Sequence, residues 1–168
     1  IRRQRQMCIR DRNRTERWAT GLDEDVIELR TENKERMLHL LIQKIENRKS
    51  KPSSRFHFEE GLSYEEKYHQ VCRWWDDFRF HLSMAIKTPA ELNRFLGNSL
   101  SSETMYLLSR ARKKGMPFFA TPYYLSLLNT NGEGYNDEAI RSYILYSPRL
   151  VETYCNIRAW EREDIVEA

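Results

Sequence analysis

Glu66 and His69 are the residues whose types and spacing come nearest to a defined chemistry in this chain. A glutamate three residues before a histidine places both side chains on one helical face, as in helices that hold carboxylate-bridged di-iron centres, and Cys72 one turn later would add a thiolate. A di-iron bundle needs two such pairs and two further glutamates, and the sequence contains a single E-x-x-H. We therefore predict a surface Glu–His pair beside a buried thiol, and no metal ligand.

The three cysteines, Cys8, Cys72 and Cys155, are odd in number and lie far apart. Their spacing argues against a disulfide framework and against a C-x-x-C zinc or redox pair, so we expect reduced thiols. No Ser/His/Asp or Cys/His order suggests an activated nucleophile. The remaining histidines stand alone, which is typical of packing or surface residues: His39, His57 and His81. The residues alone predict no catalytic, cofactor-binding or metal-binding side chain.

A basic run at residues 110–114 is followed by the aromatic residues Phe118, Phe119, Tyr123 and Tyr124. One interpretation is a nucleic-acid platform, in which the cations contact phosphates and the rings stack on bases. The other is structural, because cations at the end of a helix compensate its dipole and a cluster of aromatic rings packs into a core. The structural interpretation is favoured, so nucleic acid is an unlikely partner.

The basic excess of the chain is confined to its first residues. The net charge is +3 with a pI near 8.8, and without residues 1–13 the chain has 23 basic against 24 acidic side chains. Within this segment, residues 7–12 look like translated sequencing adaptor, so residues 1–13 are interpreted as non-native; a disordered basic arm is the alternative. No apolar run of about 18 residues predicts a membrane helix, and no secretory signal is present, so a cytoplasmic location is expected.

Few glycines and prolines and almost no apolar/polar alternation predict an all-α fold of about six or seven irregularly arranged helices. A helical arm is expected at residues 14–49, capped at Asp23 and with no apolar residue between Arg30 and Arg36, so its first half is predicted to be loosely held. Its apolar stripe, Met37–Ile45, suits core or subunit contact. Residues 50–62 are polar and contain a proline, which predicts a linker before the main region at residues 63–168.

The main core helix is predicted to open with a capping box at Ser63 and Glu66 and to run to Ile86. Its predicted buried face follows helical steps: Tyr64, Tyr68, Val71, Cys72, Trp75, Phe78, Leu82 and Ile86. Trp74 and Trp75 cannot both face the core from one helix. Further helix starts are predicted at Thr88, at Ser101 or Ser102, at Asn136 and at Ser147, with ends at Gly97 and Gly115.

The segment 118–128 has the densest aromatic and aliphatic surface in the chain. Thr121 and Pro122 predict a short helix, because the hydroxyl caps it and proline suits its first position. A helix that is apolar on most sides must be surrounded by other elements. With 32% charged residues and a mean hydropathy of −0.78, the chain is not expected to surround it fully.

Three segments together resemble the N-terminal portion of the lysine 2,3-aminomutase family. The first is Trp75–His81 (WDDFRFH) with the following Thr88–Leu92 (TPAEL), and the second is Thr121–Leu127 (TPYYLSL). The third starts as DEAIR at Asp137 and continues through NIRAW at Asn156–Trp160, and it looks like the larger branch of that family. The resemblance covers about residues 63–168.

The resemblance implies a radical SAM isomerase that moves an amino group between adjacent carbons. Such enzymes use a [4Fe–4S] cluster, S-adenosylmethionine and pyridoxal phosphate, and their cluster motif is C-x3-C-x2-C. No such motif occurs in this chain, so the motif is expected after Ala168 and the pyridoxal-binding lysine further on. The chain is therefore expected to be a truncated, non-catalytic docking region for a barrel of the same polypeptide, with a possible homo-oligomer contact through the helical arm.

The residues expected to dock or to form the core are Trp75, Phe78, Thr121, Pro122, Tyr123, Tyr124 and Leu125. If the chain docks on a barrel, segment 118–128 is expected to be partly exposed. The alternative hypothesis is a self-contained helical interaction module, with nucleic acid as one candidate partner, in which this segment would be enclosed.

Overall fold

A computed structural model describes residues 23–48, 55–130 and 135–154, and they form eight helices. The helices are α1 (Glu24–Asn47), α2 (Tyr64–Trp74), α3 (Phe78–Ser83), α4 (Pro89–Phe95), α5 (Ser102–Lys113), α6 (Pro122–Ser126), α7 (Glu138–Arg141) and α8 (Pro148–Thr153). Over these ranges no strand forms, and an isolated antiparallel bridge joins Ile86 to Ala120. The predicted all-α fold is confirmed. One helix more than expected is present because one predicted helix is divided in two.

Helix α1 begins where the sequence predicts, since the Asp23 carboxylate accepts a hydrogen bond from the Asp25 N–H at 3.2 Å. Its apolar side chains from Met37 to Ile45 are buried in the main core. Among the described residues of α1, Ile27 is the large apolar side chain left exposed. The stripe expected to be available for subunit contact thus packs within the chain, and the homo-oligomer stays a prediction.

The polar middle of α1 is firmly packed, which corrects the expectation of a loosely held half. Asn33 is completely buried, and its Nδ2 donates to the carbonyls of Ser126 at 3.2 Å and Leu128 at 2.8 Å. Its Oδ1 accepts from the Arg36 guanidinium at 2.6 Å. This part of the helix is therefore held by a buried, hydrogen-bonded polar residue. The search for periodic apolar residues does not count such a residue and so missed the contact.

The predicted helix from Ser63 to Ile86 is wrong as one element, because it breaks after Trp74. The Asp77 carboxylate accepts from the Arg79 N–H at 2.9 Å and so starts α3 as a new N-cap. The break lets both tryptophans find partners. Trp74 stacks on Phe58 with ring centroids 5.7 Å apart, and Trp75 is buried on another side.

The break also changes which side chains face the core. Phe80 and Met84 are completely buried, whereas Phe78 and Leu82, which were predicted as core, are exposed. Tyr64, also predicted as core, is exposed at the start of α2. The predicted burial of Val71, Trp75 and Ile86 is confirmed. The helical steps fail at Phe78 and Leu82, because α3 starts with its own phase.

The capping signals of the middle helices are confirmed. The hydroxyls of Thr88, Ser101 and Thr121 each accept from a backbone N–H three residues later, which caps α4, α5 and α6. Gly97 and Gly115 adopt φ values of 68° and 78°. These left-handed conformations end the helices and favour glycine.

Helix α7 is shorter than the sequence predicts. Asn136 accepts from the Glu138 N–H at 2.9 Å as expected, but α7 ends at Arg141. Ser147 caps α8. The predicted continuation to Trp160 lies outside the described residues, as do residues 1–13, Cys8, Cys155 and part of the predicted linker.

One main core joins the helices on both sides of residues 49–54. It contains α1 side chains together with Val71, Phe80, Leu92 and Leu125. A smaller cluster packs α5 against α8 through Ala111, Met116 and Val151. Within the described ranges, no helix is both long and apolar enough to cross a bilayer.

Candidate docking surface

An open apolar groove with a volume of about 460 Å³ lies between the α2–α3 junction and the start of α6. One wall comes from residues 75–82 and the other from residues 121–123, although about 40 positions separate them in the sequence. Its lining residues are Trp75, Asp76, Phe78, His81, Leu82, Thr121 and Tyr123.

The rims of the groove are large apolar side chains that face solvent. Phe78 is 67% exposed and Leu82 is 51% exposed on the α3 side, and Tyr123 is 53% exposed on the α6 side. Phe119, which precedes α6, is 52% exposed. Clustered exposure of this kind marks interaction surfaces, whereas single exposed apolar residues do not.

The buried face of α6 holds the groove in place. Pro122 and Leu125 are buried, and the Tyr124 hydroxyl donates to the Ile140 carbonyl. Burial, and then the nearby Asp137 carboxylate, raise the pKa of the Tyr124 phenol. Segment 118–128 is thus partly enclosed: Phe119 and Tyr123 remain exposed, as the docking hypothesis expects, while its other positions are buried or half-buried.

Trp75 and His81 form the floor of the groove. Trp75 is buried, and its ring meets the His81 ring edge-on with centroids 4.8 Å apart. From α1, the Lys34 ammonium lies 5.4 Å from the centre of a Trp75 ring. The floor is therefore an aromatic layer supported by the long helix.

His81 connects the two walls of the groove. Its Nε2 lies 2.6 Å from the Trp75 carbonyl oxygen, and its Nδ1 lies 3.3 Å from the Tyr123 backbone nitrogen. Because the carbonyl accepts and the N–H donates, these partners select the neutral imidazole with its proton on Nε2. From the sequence, His81 is predicted to be a packing or surface residue, and it is buried. Both of its partners are backbone atoms, which no spacing of residue types reveals.

The residues predicted as docking or core candidates separate into two groups. Trp75, Phe78, Thr121 and Tyr123 come together around the groove. The other three predicted residues support it from the core side: Pro122, Tyr124 and Leu125. Whether any of them docks on another domain stays a prediction.

Glu66, His69 and Cys72 line a second open groove of about 760 Å³ on α2. The Glu66 carboxylate accepts from the Ser63 N–H and hydroxyl, both at 2.8 Å, and these hydrogen bonds lower its pKa. Its role is thus to cap α2. Among the described residues, no three His, Cys, Asp or Glu side chains are grouped so that they could hold a metal ion.

The basic run that suggested a nucleic-acid platform makes contacts within the chain. The Lys114 ammonium donates to the carbonyls of Val151 at 2.7 Å and Glu152 at 3.2 Å. The Arg110 guanidinium lies 5.9 Å from the centre of the Tyr106 ring. The Lys114 contacts join the end of α5 to α8, the Arg110 contact lies within α5, and together they explain two of the cations without a ligand.

Comparisons of the chain with protein-family models, with curated proteins and with solved structures found no match.

Proposed function

We propose that this chain is the helical N-terminal docking region of a radical SAM enzyme similar to the lysine 2,3-aminomutase family. In this proposal, the catalytic barrel of the same polypeptide packs on the apolar groove. The parent enzyme would move an amino group between adjacent carbons of an amino acid in the cytoplasm. This region supplies contact surface and no reacting group.

One observation carries the proposal: two of the three sequence segments that resemble the family form opposite walls of the groove. Trp75–His81 contributes Phe78 on one rim, and Thr121–Leu127 contributes Tyr123 on the other. The segments are distant in sequence, and both present apolar side chains to solvent where they meet. A docking function explains why the segments that resemble the family also carry exposed apolar side chains.

Covering the exposed rim side chains would contribute free energy to the binding of a partner. Fully burying a Phe, Leu or similar side chain contributes roughly 1.5–3 kcal/mol. Phe78, Leu82 and Tyr123 are each somewhat more than half exposed, so covering them would add roughly half of that contribution for each side chain. Groove residues of this kind serve as anchors in protein interfaces.

The cofactors of the proposed parent do not fit residues of this chain. A [4Fe–4S] cluster needs closely spaced thiolates, and the cysteines stand at positions 8, 72 and 155. Cys72 is the cysteine within the described ranges, and it belongs to no metal-binding group there. The proposal therefore assigns the cluster, S-adenosylmethionine and pyridoxal phosphate to the barrel.

The reading frame of the parent gene tests the family assignment. We expect the codons after Ala168 to encode a C-x3-C-x2-C motif within about one hundred codons, which is a distance on the scale of one domain. A frame that continues through that length without the motif would contradict the assignment. The groove itself would remain, and its binding is tested separately below.

A further inference from the structure

We propose that His81 is an acid-sensitive latch on the groove: its neutral imidazole ties Tyr123 to Trp75, and protonation at Nδ1 releases the start of α6. The latch concerns the groove as built in this chain, whatever protein occupies it. It therefore does not rest on the proposed function.

The latch depends on the hydrogen bonds of the two imidazole nitrogens. The Nε2–H donates to the Trp75 carbonyl, which leaves Nδ1 as the acceptor for the Tyr123 N–H. A second proton on Nδ1 would face that N–H, so two donors would meet and the hydrogen bond would be lost. His81 is only 8% exposed, so water has little access to replace the missing partner.

The backbone bridge next to the groove provides a pivot for this release. Ile86 and Ala120 exchange two hydrogen bonds of 2.7 and 3.1 Å, which fix the chain just before α6 to the chain just after α3. The His81–Tyr123 bond holds the two walls together three residues beyond Ala120. Breaking it frees the first turn of α6 to move away from α3 while the bridge stays paired.

Burial favours a neutral imidazole at physiological pH more strongly than the surrounding charges oppose it. Burial lowers the pKa of His81 from 6.5, and the hydrogen bond to Trp75 and the carboxylates of Asp76 and Asp77 oppose this effect less strongly. Asp77 is itself paired with the Arg55 guanidinium at 3.2 Å. From α1, the Lys34 ammonium lies over the Trp75 ring, which contacts the imidazole.

The sign of the pH effect follows from these pKa values. The unfolded or released state binds a proton near pH 6.5, whereas the latched state binds it only at lower pH. The latch is therefore complete above about pH 6.5 and weakens as the pH falls below that value.

Amide hydrogen exchange and imidazole titration of the whole chain, both followed by NMR, test the latch. Between pH 7.5 and pH 5 we expect the protection of the Tyr123 amide to fall by more than that of the buried Leu108 amide, after correction for intrinsic exchange. We expect this loss to follow the His81 imidazole titration, with a midpoint below 6.5.

Two variants separate the latch from general acid destabilisation. His81→Gln is expected to remove the pH dependence at Tyr123, whereas His69→Gln, at an exposed histidine of α2, is expected to keep it. Persistence of the loss in His81→Gln would overturn the latch. If His81→Gln does not fold, the wild-type chain decides: equal midpoints for the His81 ring and the Tyr123 amide support the latch, and different midpoints overturn it.

Discussion

Asn33 shows how a single polar side chain fixes segment 118–128 against α1. Its buried amide pairs with the carbonyls of Ser126 and Leu128, which lie at and just beyond the end of α6. Helix ends leave carbonyls without partners inside the helix, and buried ones need an outside donor. The residue therefore stabilises the groove from its far side.

We predict that Asn33→Ala lowers the free energy of unfolding by about 2–3 kcal/mol, because it leaves two buried carbonyls and the Arg36 guanidinium without that partner. Urea denaturation followed by circular dichroism measures the change. Asn47→Ala, at an exposed position of the same helix, is the matched control and is expected to change stability by less than about 0.5 kcal/mol. Equal stability of Asn33→Ala and Asn47→Ala would contradict this role.

Glu66 offers a pH prediction at a single residue. The hydrogen bonds from the Ser63 N–H and hydroxyl favour the charged carboxylate, so its pKa is lowered. The folded-state pKa lies below the unfolded one, so the capping contribution is complete above the unfolded value and is lost as pH falls through the folded value. Carboxyl NMR titration should show Glu66 ionising below 4.5, and Ser63→Ala should raise its midpoint. A midpoint unchanged by Ser63→Ala would contradict the capping role of the hydroxyl.

At the scale of elements, the break between α2 and α3 creates the groove. Asp77 starts α3 in a new phase, and this turns Phe78 and Leu82 outward while Phe80 and Met84 enter the core. If α2 continued without a break, helical steps from Val71 would carry Phe78 inward. The cap is thus the local cause of the exposed rim.

We predict that Asp77→Ala lowers the free energy of unfolding by about 1 kcal/mol, the usual contribution of an N-cap. Asp77→Asn is expected to recover most of this loss, because asparagine caps helices but does not pair with Arg55. Thermal unfolding of the two variants and of Asp76→Ala, at the exposed neighbouring carboxylate, provides the comparison. A loss as large in Asp76→Ala as in Asp77→Ala would argue against the capping explanation.

Local signals in the sequence predict most of the helix starts, and tertiary contacts decide the rest. Ser63, Thr88 and Thr121 cap helices through atoms three residues away, so spacing alone finds them. The N-cap signal at Asp77 lies within a continuous apolar pattern. Following that pattern led to the wrong prediction of a single helix from Ser63 to Ile86. His81 and Asn33 act on backbone atoms 42 and at least 93 residues away, which residue types cannot reveal.

At the scale of the whole molecule, the described residues form a well-packed core beside an apolar groove that they leave open. Phe80, Leu92 and Leu125 are completely buried, while Phe78 and Tyr123 lie on the surface a few residues away. Aromatic side chains held rigidly at a groove rim lose little entropy when a partner covers them. This arrangement suits a surface that is covered in a larger assembly.

The binding affinity of this chain for the polypeptide encoded after Ala168, a length of about 250 residues for a catalytic barrel, tests the docking proposal most directly. By titration calorimetry we predict saturable binding that Phe78→Ser weakens about 10- to 100-fold, because one aromatic contact of roughly 1.5–3 kcal/mol is lost. Tyr106→Ser removes an aromatic ring that is 66% exposed outside the groove and should bind as the wild type does. No binding by the wild-type chain, or equal affinity of Phe78→Ser and the wild type, would contradict the account.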